Sequence, residues 1–222
     1  MAPVFPSKRI PPAHDATAKL RAAIVGGVFG PNERLVEEHL AEKFRTTRPA
    51  IRTALALLEQ ERLVVHERNR GARVRAVTPE EAEEILEARA ALEALVARKA
   101  VENVDRAGIA RLTAIVREMQ EHQRNGNLRA YSDCNARFHQ AIAEIAQHGT
   151  ATRLLSLLKS QSVRYQYRSV LNPGRPARSL REHQAILRAF VKRDPAAAET
   201  AMRTHIEHIR AAIRESATTL LP

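Results

Sequence analysis

The chain has 222 residues, enough for two domains with cores of their own, and its net charge of +11 favours a polyanionic partner. Its one cysteine, Cys134, excludes an internal disulfide and a thiolate metal cluster, and 4% aromatic residues with no tryptophan argue against base stacking on an aromatic platform. No apolar run reaches membrane-spanning length and the opening MAPVFPSKRIPPAHD lacks a signal-peptide core, so a cytoplasmic protein with no membrane partner is expected.

Residues 1–12 are rich in proline and read as a loose arm whose only cations are Lys8 and Arg9. Leu20, Ala23 and Ile24 give a short amphipathic helix that ends at Gly26-Gly27. Val36, Leu40, Ala41 and Phe44 then recur at helical spacing, Arg45-Thr46-Thr47 interrupt them, and Ile51, Ala54, Leu55 and Leu58 resume: helix, turn, helix. Thr47 is placed to cap the second helix, and Pro49 falls in its first turn, where a missing N–H costs nothing. Arg48 and Arg52 lie at the start of that helix, off the apolar stripe. Two such guanidinium forks suit the guanine O6 and N7 acceptors of a major groove, with Thr46 and Thr47 as phosphate donors. An ordinary solvated helix with two exposed arginines would show the same pattern.

The segment after this helix weighs against that plainer reading. Leu63-Val64-Val65 and the alternating run Ala72 to Val77 flank a polar turn that contains Gly71, which predicts a β-hairpin. A small hairpin after a recognition helix is a wing, and its tip carries Arg68 and Arg70 for phosphates or a minor groove, with Gly71 giving the turn its backbone freedom. Charge is concentrated here: residues 1–78 hold 14 Lys and Arg against 8 Asp and Glu, and the remainder 22 against 17 over nearly twice the length.

From Leu20 to Val74 the sequence resembles the DNA-binding domain of GntR-type bacterial transcription regulators, with helix lengths, turns, paired arginines and wing glycine in matching order. By that resemblance Arg34 contacts a phosphate. The chain departs from the family's pattern in three places: Pro31-Asn32 replaces Pro-Gly, Arg45 replaces the glycine of the turn, and the proline of the recognition helix comes one place early. Asparagine tolerates the left-handed conformation that glycine would take.

Thr78-Pro79-Glu80-Glu81 is a capping box that opens a second domain. Ile85, Ala88, Leu92, Leu95 and Val96 form its first stripe, with Arg89 at the edge. Asp105 caps a second helix through Leu112, Ile115 and Met119; a third runs from Leu128 through Phe138 to Gly149; a fourth spans about 151–171 with Leu154, Leu155, Leu158 and Val163; a fifth covers about 176–192; and a sixth follows Asp194-Pro195. The fold class is therefore mainly α: a winged helix-turn-helix over 13–77 and an antiparallel six-helix bundle over 78–220.

His139, His183 and His205 fall on three of these helices, each among apolar residues. A single histidine so placed is usually a satisfied core residue. Three that converge are hard to satisfy by hydrogen bonds alone, and imidazoles on facing helices are a common metal site, to which Asn135, one turn before His139, can add an oxygen. Asn135-Ala-Arg-Phe-His139, Glu182-His183 and the segment ending in His205 resemble the FCD ligand-sensing domain of the FadR branch of GntR regulators, in its VanR-like six-helix form. That resemblance implies a divalent metal, zinc or nickel, on Asn135, His139, His183 and His205. A cation held by neutral ligands favours a small organic acid as effector, with Arg89 and Arg164, or Arg168, completing the pocket. It also implies a homodimer that reads a roughly palindromic double-stranded operator and is released by ligand, hence a repressor and not an enzyme. The rival is a metal-dependent hydrolase built on the same histidines, against which no carboxylate is obviously placed as a general base.

Overall fold

The computed structural model describes residues 13–67, 71–172 and 174–218, with side chains described except at 13–14, 163–171 and 216–218. Lys8, Arg9, Arg68 and Arg70, and the side chains of Val163, Arg164 and Arg168, lie outside the described residues. Contacts divide the chain into two units, one ending at Ala76 and the other beginning at Val77.

The first unit contains α1 (Ala13–Val25), β1 (Arg34–Leu35), α2 (Glu37–Phe44), α3 (Arg48–Gln60), β2 (Val64–Glu67) and β3 (Gly71–Val74). Leu20, Ile24, Leu40, Ile51, Leu55, Leu58 and Leu63 form its core, so the apolar spacing in the sequence maps onto the buried faces of three helices. The sheet is antiparallel in the order β1-β3-β2, which is the expected hairpin plus one strand that the sequence did not reveal. Two residues are too few to show an alternating pattern. Asn32 and Arg45, the two departures from glycine, both sit in the left-handed region, at φ 63° and 52°. Arg45 is the C-cap of α2, and its N–H and that of Thr46 return to the carbonyls of Glu42 and Ala41. This sharp turn brings α3 back against α2.

The second unit contains α4 (Pro79–Asn103), α5 (Arg106–Arg124), α6 (Leu128–Ala146), α7 (Gly149–Leu171), α8 (Arg175–Lys192) and α9 (Pro195–Thr218). Side chains cap the starts of α4, α5, α6 and α9: Thr78, Asp105, Asn127 and Asp194 accept from the backbone N–H groups of Glu81, Gly108, Ala130 and Ala197, and His148 Nδ1 accepts from Ala151 at the start of α7. α4 is the central helix and packs against α6, α7 and α9. Its burial therefore extends well beyond one stripe, to Ala82, Leu86, Arg89, Ala90, Glu93, Ala94, Ala97 and Ala100, while Ala88 is exposed and Leu92 and Leu95 are half-buried. The expectation that Arg89 lies at the edge is corrected: it is 1% exposed. On α7, Leu155 is buried but Leu154 is exposed, which narrows the apolar face expected there. No described helix is long and apolar enough to cross a membrane.

A non-glycine residue in the left-handed region costs about 1–2 kcal/mol, and glycine loses part of that advantage through its freer unfolded chain. Arg45→Gly should therefore raise stability by about 0.5 kcal/mol, seen as a higher urea midpoint at unchanged slope; a lower midpoint would show that the turn imposes no strain.

Candidate functional site

The first candidate surface lies on the N-terminal unit. Thr47 adopts extended backbone and its Oγ accepts from the N–H of Ala50, so α3 begins at Arg48 with Pro49 in its first turn. Ile51, Ala54, Leu55 and Leu58 face inward, which leaves Arg48 and Arg52 exposed on the opposite side. Arg52 is held by Glu37 at the start of α2: Nε donates to Oε1 at 3.0 Å and Nη2 to Oε2 at 2.9 Å. These bonds, helped by the nearby Arg48, keep the Glu37 carboxyl below its usual range. Thr46 carries a buried hydroxyl oxygen without a hydrogen-bond partner among the described residues. Arg34 is exposed on β1, opposite Arg73 of β3, and Gly71 opens β3 at φ 79°. Arg73 is itself tied to Glu67 and to the Asn32 carbonyl. The clamp of Arg52 by Glu37 could not be read from one helix alone, since the partners are 15 residues apart.

The second candidate lies inside the bundle. α6, α8 and α9 bring His139, His183 and His205 together, so that three ring nitrogens fall within 4.8 Å of one another and all three rings are buried. His139 and His205 stack with centroids 5.2 Å apart, and His183 stands edge-on to both. Phe138, fully buried, meets His183 edge to face at 5.1 Å and closes that side. Asn135 is half-buried, one turn before His139 on α6.

Backbone and carboxylate acceptors set the tautomers. His183 Nδ1 is 2.7 Å from the Ser179 carbonyl, and because a carbonyl only accepts, Nδ1 carries the hydrogen. His205 Nδ1 likewise donates to Glu182 Oε2 at 2.7 Å. In a neutral ring the other nitrogen then holds a bare lone pair, and the Nε2 atoms of His183 and His205 are buried with no hydrogen-bond partner among the described residues. His139 Nδ1 lies 2.7 Å from Glu93 Oε2 at ion-pair distance, off the hydrogen-bonding direction. Burial lowers the pKa of all three rings, that of His139 to about 4 against the opposing pull of Glu93. They are neutral at pH 7. A buried acceptor left unsatisfied costs about 1–3 kcal/mol, and imidazole lone pairs that converge without a donor are what a borderline divalent cation binds. The residues present therefore fit such an ion.

Two carboxylates in this interior were not singled out from the sequence. Glu182 accepts from His205, His208 and the Arg175 guanidinium at once. Burial alone would raise its pKa, but the bonds from His205 and Arg175 prevail and hold it at about 2. Glu93, 3% exposed, receives Nε and Nη2 of Arg89 on Oε1, with His139 and the Lys159 ammonium beside Oε2. Burial raises its pKa too, but Lys159, Arg89 and His139 together bring it well below the usual range. Arg89 reaches Ser162 with Nη1, so its fork is engaged inside the protein. A sequence signal did exist: Arg89 and Glu93 occupy core positions of α4 at the i, i+4 spacing of a helical ion pair. The sequence-based expectation that no carboxylate stands beside the histidines is thus corrected. Both carboxylates, however, are bound to imidazole and guanidinium groups.

Comparison with known proteins places these units. Residues 84–208 match the FCD domain, and residues 12–74 match the family described as bacterial regulatory proteins, gntR family. The chain is 26% identical over 196 residues to the HTH-type transcriptional repressor RspR of Escherichia coli, covering 88% of this chain and 86% of RspR. In fold it is similar to E. coli McbR/YncC, with a TM-score of 0.79 at 20% identity over 92% of this chain and 98% of that one. It is also similar to a putative transcriptional regulator GntR from Rhodococcus sp. RHA1, with a TM-score of 0.72 at 23% identity over 92% and 98%.

The buried groups fix the response to acid. The unfolded chain takes up protons on its histidines near pH 6.5, whereas folded His139 resists until about pH 4, so stability is complete above 6.5 and lost as pH falls through that window. Glu182 acts in the same direction below its ordinary range, down to about 2. The urea midpoint of metal-free protein should therefore fall from pH 7 to pH 5, and a midpoint that stays flat or rises would contradict the neutral, buried assignment of the rings.

Proposed function

Because the chain belongs to the gntR family of bacterial regulatory proteins and carries an FCD effector domain, it is a DNA-binding transcription regulator and not an enzyme, and we propose that it is a cytoplasmic repressor released by a small carboxylate. The observation that carries the effector half is the convergence of three buried imidazoles, two of which, His183 and His205, turn an Nε2 without a hydrogen-bond partner among the described residues into the interior. His139, His183 and His205, with Asn135, would hold a divalent ion, zinc or nickel. Bound there, the ion supplies a Lewis-acidic anchor for a carboxylate.

The protein's own groups do the rest. Ser179 and Glu182 fix two imidazole tautomers, Glu93 faces the third ring, and Phe138 shields the chamber from water. Arg89 lends the wall a permanent positive charge, and Arg164 belongs to the same proposal as a further residue completing the effector pocket. On the DNA side, Arg48 and Arg52 read base edges, Arg34, Thr46 and Thr47 meet phosphates, and the wing with Arg68, Arg70 and Gly71 follows the backbone. The bundle over 78–220 dimerises, and the two units over 13–77 bind the half-sites of a roughly palindromic operator. Ligand then releases DNA by binding more tightly to the dimer shape whose half-site spacing does not fit.

The role of RspR as a repressor supports the sign of regulation. Arg48→Ala should weaken binding to the operator by about 1–3 kcal/mol while leaving nonspecific binding nearly intact. Wild-type operator affinity in that variant, measured by fluorescence anisotropy across a salt series, would remove Arg48 from base readout. His139→Ala should lose stoichiometric metal by elemental analysis; full occupancy would remove the histidine site.

A further inference from the structure

Around the histidines, the described charged groups do not balance. Arg175 cancels Glu182, but Arg89 and Lys159 together face the single carboxylate of Glu93. The wall thus carries an excess of one positive charge before any ion binds. A divalent cation raises the excess to three. One carboxylate leaves two charges unmet in a dry interior, and two carboxylates leave one, so the field favours a dianion.

The two cations of the wall are not equivalent. Arg89 is 1% exposed and spends Nε and Nη2 on Glu93 and Nη1 on Ser162. Lys159 is 30% exposed, and its ammonium lies 3.5 Å from Glu93 Oε2, a loose contact for a group with three donors. The same Glu93 oxygen lies 2.7 Å from His139 Nδ1, so the ammonium and the imidazole nitrogen are at most about 6 Å apart. That is within the reach of a short diacid.

We propose that the effector is a dicarboxylic acid with one acid group at the histidine centre and the second on the Lys159 ammonium, and that Lys159 sets the preference for diacids over monoacids. This rests on the metal-centred effector site proposed above. Lys159 comes from α7, so a diacid that spans it and the histidine centre ties that helix to α6, α8 and α9.

The test uses full-length protein loaded with zinc and titrated by calorimetry with succinate and with butyrate, which differ by one terminal acid group. Wild type should bind succinate at least tenfold more tightly. Lys159→Met should remove most of that factor by weakening succinate alone, and Lys159→Arg, which keeps a cation, should retain it. Equal affinities in wild type, equal weakening of both acids in Lys159→Met, or equal losses in the Met and Arg variants would overturn the role of Lys159. His139→Ala separates the two levels. If it binds succinate as wild type does, the histidine-centred reading itself fails; if it loses both acids while wild type shows no preference, that reading stands and the diacid assignment falls. No heat from either acid with wild type overturns both.

Discussion

The effector unit depends on two hydrogen bonds that point away from its centre. The Ser179 carbonyl and the Glu182 carboxylate each accept from a histidine Nδ1, and by taking that hydrogen they turn a bare Nε2 lone pair towards the interior. Without these acceptors the rings could rotate or change tautomer and satisfy one another. With them, neighbouring imidazoles present acceptors to each other in a place that water does not reach. The resulting cost is local and specific, and a Lewis acid removes it.

Around that centre the bundle carries charge where cores are normally apolar. Arg89 and Glu93 replace two positions of the α4 core, and each is satisfied only because the other is present, with Ser162, Lys159 and His139 at the edges. Removing one member of such a pair strands the other, which ties the electrostatics of the pocket to the integrity of the bundle. Glu182 plays the corresponding part on the other side. It joins Arg175 and itself, both of α8, to two histidines one turn apart on α9.

The architecture was legible because it follows from local rules. Thr47, Thr78 and Asp105 act as caps where their side chains and the following residues demand it, and the positions of Gly26, Gly126 and Pro195 delimit helices. The histidine triad was legible too, since each member breaks an apolar stripe. The partnerships across space were not. β1 is too short to declare itself, Arg89 looks peripheral until α6, α7 and α9 surround α4, and Glu93 and Glu182 resemble ordinary helix-surface carboxylates until their neighbours are known. His208 is the converse case: its spacing beside His205 gives it no role, yet its Nδ1 shares Glu182 at 2.8 Å.

The clamp between Glu37 and Arg52 has a thermodynamic corollary for the N-terminal unit. An anion that takes this guanidinium must displace a carboxylate already seated on both of its prongs, so one negative partner is exchanged for another. A side chain neutralised in advance sheds few bound counterions from the polymer it meets. Engagement of Arg52 should therefore add little to the ionic-strength dependence of association, leaving that slope to phosphate-directed cations such as Arg34.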